Sequence, residues 1–295
     1  MSDNKAWTGK TGGTAGMQRS LIRIFARIDQ RWLYPVVAVW ILFYILFQPA
    51  GTRGIYYYWR RRRGMRPLQA AHHTYWNYFC FGTVILDRFA AYAGKPFDIR
   101  IDGEEVMSRL ASQPGGFIVI SSHVGNQELA GYSIHSEKPM YVLLYMGDTQ
   151  TVNQNRERMF NAQDLHFIPM MPDGSHIFEM HQVLDKGNVL SIHGDRMFYG
   201  GRSISTPLMG EDAPFPEGPY KVAAIERVPV VTMFMMKEKS NRYTLYIRQL
   251  ATGEEEGSNM QRAHMILERF VAEEEALLNK YPHQWFHFYH FWRHQ

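Results

Sequence analysis

The stretch GGFIVISSHVGNQELAG, residues 115–131, decides the reading of the chain. An apolar run from Phe117 ends in Ser121 and Ser122, His123 follows, and a helix-compatible QELAG begins after the turn formers Gly125 and Asn126. Such a run, bounded by glycine, predicts an apolar strand. Reactive groups sit well where a strand of this kind ends and a helix begins. Working outward, Phe117–Ser122, Met140–Tyr145, Val189–His193, Val228–Met236 and Tyr243–Ile247 read as strands. Residues 150–160, Ser175–Lys186, Gly218–Glu226, Asn259–Leu278 and the stretch after Arg66 to Ala93 read as helices. The alternation predicts an α/β fold, a sheet covered by helices.

Glu128 lies outside the three- or four-residue spacing that brings side chains together on a regular helix, so a turn must bring it to His123. Gly125 and Asn126 permit that irregular backbone. A carboxylate bonded to one imidazole nitrogen fixes the tautomer and raises the basicity of the other, which can then take a proton from an alcohol or amine. Taken alone, the same residues also fit a histidine capping a helix.

Composition bounds the alternatives. Hydrophobic residues make up 45% and charged residues 20%, which describes a packed globular protein and excludes a disordered one. Cys80 is the only cysteine, so intrachain disulfides, cysteine-based zinc clusters and CxxC redox pairs are ruled out. The net charge of +4 would suit nucleic acid, anionic lipid or an acidic carrier protein, and its distribution favours lipid. Arg19, Arg23, Arg27 and Arg31 recur every fourth residue, the uncharged run Trp32–Phe47 follows, and Arg60, Arg61, Arg62, Arg63 and Arg66 come after it. A basic stripe beside an apolar segment matches an anionic membrane surface, so no nucleic-acid partner is expected. The run is shorter than the roughly 20 residues of a comfortable span, which leaves a tilted span, a shallow hairpin and a buried core helix open. The expected division is a loose tail and membrane anchor over 1–66 and a catalytic domain over 67–295.

The blocks H-V-G-N-Q-E (123–128), H-G-D-R (193–196), P-L-M-G-E-D-A-P-F-P-E-G-P-Y (207–220), E-R-V-P-V-V-T-M-F (226–234) and P-H-Q-W (282–285) occur in that order. Together they resemble the lipid A biosynthesis acyltransferases of the lysophospholipid acyltransferase superfamily, with their H-x4-E and P-x-Q-W elements. In detail the chain is most similar to a subgroup encoded beside aryl polyene or fatty-acid-synthase-like clusters. The resemblance implies a glycerolipid acyltransferase-like fold: a mixed central sheet flanked by helices, with an N-terminal membrane-anchoring helical segment. It also implies acyl transfer from an acyl thioester, usually on acyl carrier protein, to a hydroxyl or amine of a lipid-like acceptor. The expected location is the bacterial inner membrane with the catalytic domain facing the cytoplasm, and no cofactor or metal is implied. His123 becomes the general base and Glu128 its orienting partner. Gly125, Asn126, Asp195 and Arg196 are placed around the substrate, with backbone N–H groups near Gly125 or a nearby arginine as candidate oxyanion donors. A non-catalytic lipid-binding protein with the same fold is the alternative, disfavoured by the intact His123 and Glu128.

Four features stand apart from this chemistry. His283, His287, His290 and His294 would share one face of a helix, but the rings between them point to a packed or interfacial terminus rather than a metal site. Gly210, Phe215, Pro216 and Gly218 read as a loop over the acyl pocket, and Arg156 and Arg158 as a solvated helix face. His72 and His73 receive no role.

Overall fold

The computed structural model describes residues 15–133, 138–145, 164–171, 173–197 and 201–292. The expected helix over 150–160, with Arg156 and Arg158, lies outside the described residues, as does His294. The strands in chain order are β1 (Asp98–Asp102), β2 (Phe117–Ser121), β3 (Met140–Tyr145), β4 (Leu165–Met170), β5 (Val189–His193), β6 (Ser203–Leu208), β7 (Glu211–Pro216), β8 (Val230–Lys239) and β9 (Arg242–Ala251). Seven of them form one sheet in the order β1-β9-β8-β2-β5-β3-β4, and β6 and β7 pair separately. Every neighbouring pair in the large sheet is parallel except β8 and β9, so the sheet is mixed.

The central strand β2 lies between β8 and β5, and all its residues are buried, as its continuous apolar run requires. Alternate side chains serve the two faces. Ile118 and Ile120 pack with α7 (Ser175–Asp185), α8 (Glu217–Glu226) and α9 (Asn259–Lys280), whereas Phe117 and Val119 pack with α5 (Glu104–Ser112) and α6 (Gln127–Ser133). A capping box starts α9: Ser258 Oγ accepts from the Gln261 N–H and Gln261 Oε1 from the Ser258 N–H. Pro282 ends it, because the residue before a proline is pushed out of helical conformation.

Two edge strands escape the sequence reading. β1 and β4 carry mixed polar and apolar residues, and Pro169 within β4 reads against a strand although a sheet edge tolerates it. The residues expected to shape a loop, Gly210, Phe215, Pro216 and Gly218, lie in the turn and second strand of the β6–β7 hairpin and at the start of α8, the hairpin turning through Met209 and Gly210, both at positive φ. Phe215 in that hairpin is fully buried against Phe291, ring centroids 5.3 Å apart.

The amino-terminal part is helical: α1 (Ala15–Arg27), a 3₁₀ turn (Gln30–Leu33), α2 (Tyr34–Phe47), α3 (Pro49–Tyr57), a π turn (Tyr58–Arg62) and α4 (Pro67–Tyr92). Arg19, Arg23 and Arg27 are exposed along α1, but Arg31 falls in the 3₁₀ turn and pairs with Asp29 instead of extending the stripe. Phe25 is buried against Leu86, Phe89 and Ala90 of α4. The segment Gln30–Phe47 is long and apolar enough to cross a membrane, and Trp32, Val36, Val39, Trp40, Leu46 and Phe47 lie on the outside of the protein. Ile55, Tyr58 and Trp59, ahead of the expected boundary at residue 66, are buried in the same cluster as Ile118 and Trp285.

The carboxyl terminus is not the helix that would align its histidines. Beyond Pro282 the chain runs as an irregular strap, 281–292, whose rings fill a groove between the π turn, α4 and the sheet. His283 Nε2 meets His73 Nδ1 at 2.9 Å, and His287 is 1% exposed. Along this irregular strap the described histidines, His283, His287 and His290, do not share a helix face.

Candidate active site

The site forms where β2 and β5 end. These parallel neighbours are in register through Ser121 and His193, so the loops that follow emerge side by side at the carboxyl edge of the sheet. The Gly194 N–H donates to Ser121 O at 2.8 Å, and Ser121 Oγ lies 3.1 Å from His193 Nδ1. A Cβ at residue 194 would sit 2.6 Å from both Ile120 and the Tyr220 hydroxyl, so only glycine lets the two loops close together.

Closing them brings Asp195 onto His123. One Asp195 oxygen lies 2.9 Å from His123 Nδ1, and the other accepts from the His123 backbone N–H at 2.9 Å. Asp195 is 2% exposed, and burial by itself would push its carboxyl up. The His123 ring beside it, with lesser help from Arg196 and His193, outweighs burial and holds it well below the usual carboxylate range. An ionised acceptor keeps the proton of the neutral imidazole on Nδ1, so Nε2 carries the lone pair. The His193 ring packs against that of His123, centroids 4.7 Å apart.

The expected partner, Glu128, makes an ion pair from the first turn of α6: its Oε2 accepts from Arg88 Nη1 of α4 at 3.0 Å. Asp195 is thus the acid on Nδ1, and its place there could not be read from spacing because it lies 72 residues away. Gly125 has φ +72, and a Cβ there would meet Met235 O at 2.1 Å, so the turn presses directly on β8. Its N–H, a candidate oxyanion donor, donates to Gln284 O at 2.8 Å. Asn126 is 2% exposed, and its Oδ1 caps α6 by accepting from the Leu129 N–H. Arg196 is half-buried beside Asp195, with Nη2 donating to Phe286 O at 3.2 Å. Burial pushes its guanidinium down, partly offset by Asp195.

The strap is the part of the site that sequence reasoning left without a role. The Phe286 N–H donates to His123 O at 3.0 Å, and Val124 and Trp285 form an antiparallel bridge. The Gln284 side chain accepts from the Lys237 N–H at 2.9 Å and donates to Lys237 O at 2.7 Å, so it extends β8 like a further strand. P-H-Q-W therefore backs the turn that carries His123. A second missed feature is Asp87 at 0% exposure, whose Oδ2 accepts from Lys237 Nζ at 2.6 Å and from the Tyr243 hydroxyl at 2.5 Å. An acid within the apolar run GTVILDRFAAY was the available signal.

Among the described residues, the donor atoms of His123, His193 and Asp195 converge within 4.8 Å. Both Asp195 oxygens already serve His123, so we read the group as a proton-handling pair with a neighbouring ring and not as a set of metal ligands.

Over residues 87–294 the chain matches the model of the bacterial lipid A biosynthesis acyltransferase family. A comparison with curated proteins finds no match. Among solved structures, the 1-acyl-sn-glycerophosphate (LPA) acyltransferase PlsC from Thermotoga maritima is similar at 14% identity and a TM-score of 0.42, over 84% of this chain and 98% of that one. With its His123 turn, the loop after β5 and the strap all inside the matched span, the chain belongs to the bacterial lipid A biosynthesis acyltransferase family.

Proposed function

We propose that the chain moves a fatty acyl group from an acyl thioester, carried on acyl carrier protein, to a hydroxyl or amine of a lipid-like acceptor at the inner membrane. The observation that carries this reading is the His123–Asp195 pair, 2.9 Å apart at the carboxyl edge of the sheet, in a member of an acyltransferase family. His123 Nε2 takes the acceptor proton as its oxygen or nitrogen attacks the thioester carbonyl carbon. The tetrahedral intermediate then collapses, the carbon–sulfur bond breaks, and the imidazolium returns the proton to the leaving thiolate. No residue of the protein needs to be acylated. Asp195 fixes the tautomer and stabilises the imidazolium, an arrangement in which general-base catalysis contributes about 10² to 10⁴-fold.

Glu128 acts in this scheme by setting α6 against α4 through Arg88, and Gly125 and Asn126 by shaping the turn that carries His123. Arg196, half-buried beside Asp195, adds positive charge next to the reacting groups. The exposed apolar side of Gln30–Phe47 and the arginines of α1 support attachment to an anionic bilayer, and the proposed placement of the catalytic domain is the cytoplasmic side. Lipid A precursors, phospholipids, aminolipids and, from the narrower sequence likeness, polyene-linked headgroups are the acceptors to be tried.

Membranes containing wild type or His123→Ala are supplied with labelled acyl-carrier protein, and total lipid is extracted. Label in a lipid product with wild type alone supports the reading, and the product mass identifies the acceptor class. Equal product from both proteins would reject His123 as the base, and no product across acyl lengths and native extracts would reject acyl transfer.

A further inference from the structure

The inner stripe of α9 reads Ala263, Ile266, Leu267, Phe270, Val271, Leu277 and Leu278, and Glu274 stands in the middle of it at 0% exposure. Neither of its carboxyl oxygens has a partner at full hydrogen-bond length. Ser122 Oγ, equally buried and also unpartnered at that length, is the polar group acting on it from the loop after β2. From the loop after β5 it feels Asp195, from α8 the hydroxyl of Tyr220, and from the strap that of Tyr289. No cation is among the described groups acting on it. A charged carboxylate here would lack a counter-ion and would stand beside a second anion, so the group keeps its proton.

The neighbours of Glu274 are the ones that position the catalytic pair. Ser122 directly precedes His123. The Tyr220 hydroxyl donates to Gly194 O at 2.8 Å and that of Tyr289 to Asp195 O at 3.2 Å, pinning the loop that presents Asp195. We propose that Glu274 is a positioning residue held as a neutral carboxylic acid behind the His123–Asp195 pair, and that catalysis requires this neutral form. Losing the proton sets a second negative charge against Asp195 and against the two loops it joins, so the presented geometry fails. Burial, then the charge of Asp195, pushes the Glu274 carboxyl up to about 8, which places the change on the alkaline side of neutrality.

The inference rests on the acyl-transfer reading for its activity arm alone, and a spectroscopic arm tests it independently. Difference infrared spectra of the detergent-solubilised full chain, recorded from pH 6 to 10, report the carbonyl stretch of a protonated carboxylic acid. The band is expected at pH 7 in wild type, to disappear with a midpoint near pH 8, and to be missing from Glu274→Gln. In the activity arm, wild-type kcat/KM falls about tenfold per pH unit beyond the same midpoint, as for loss of one essential proton. The Glu274→Gln profile, scaled to its own maximum, lacks that fall. A missing band at pH 7 overturns the proposal, as does an alkaline fall that persists in Glu274→Gln. If that variant does not fold, wild type decides alone: band and activity midpoints more than one pH unit apart overturn it. If no acyl transfer is detected, the infrared titration still reads the state of Glu274, so the two failures are distinguishable.

Discussion

Replacing Asp195 by asparagine tests which carboxylate serves the base. The side chain keeps its shape, but a single carbonyl oxygen must replace two that now accept from the His123 N–H and from Nδ1, both at 2.9 Å. If that oxygen stays with the backbone N–H, the amide NH₂ faces Nδ1, the imidazole proton moves to Nε2, and the lone pair that takes the acceptor proton is lost. The cost is then most of the general-base contribution, about 10² to 10⁴-fold in kcat, or about 2.7 to 5.4 kcal/mol at 1.36 kcal/mol per tenfold. Initial rates of labelled acyl transfer, in membranes matched for protein content, measure it, with thermal unfolding run alongside to show that the fold survives. Glu128→Gln, which removes the charge from its partly buried ion pair with Arg88, is expected to cost less. Should Asp195→Asn stay within about threefold of wild type while Glu128→Gln loses 100-fold or more, the reasoning fails and Glu128 is the working partner of His123.

Three further outcomes follow from the same geometry. Gly125→Ala puts a Cβ 2.1 Å from Met235 O at φ +72, so it should cost about 2 to 4 kcal/mol from left-handed strain plus forced displacement; an unchanged Tm would contradict the contact. Asp87→Ala leaves the buried Lys237 ammonium uncompensated and should destabilise by about 3 to 5 kcal/mol, whereas denaturant midpoints equal to wild type would show that the network carries no weight. For Glu274, the folded chain holds the proton to about pH 8 while an unfolded glutamate releases it near 4.3. Its stabilising effect is therefore complete below about pH 4 and is lost as pH rises to 8, at up to about 1.4 kcal/mol per unit. Glu274→Gln should flatten that slope in a pH series of denaturant unfolding, and an identical slope in both proteins would show that another group is responsible.

What the sequence determined on its own is the part governed by short-range periodicity. The runs at 117–121, 140–145 and 189–193 have strand length and apolar content that leave no other buried form, and Pro282 and the Ser258 capping box set the ends of α9 by local sterics and hydrogen bonding. The place of His123 was legible for the same reason, between the end of a buried strand and the start of a helix. The edge strands β1 and β4 were not, because β1 alternates charged with apolar residues and Pro169 interrupts β4. The partners of His123 lay further from reach. Asp195 arrives because β2 and β5 are parallel neighbours in register, and the strap because Pro282 turns the chain from α9 back across the Gly125 turn. Only the tertiary structure decides such pairings, since strand order and register join residues far apart in the chain, and no local period in the sequence encodes which loop will face which.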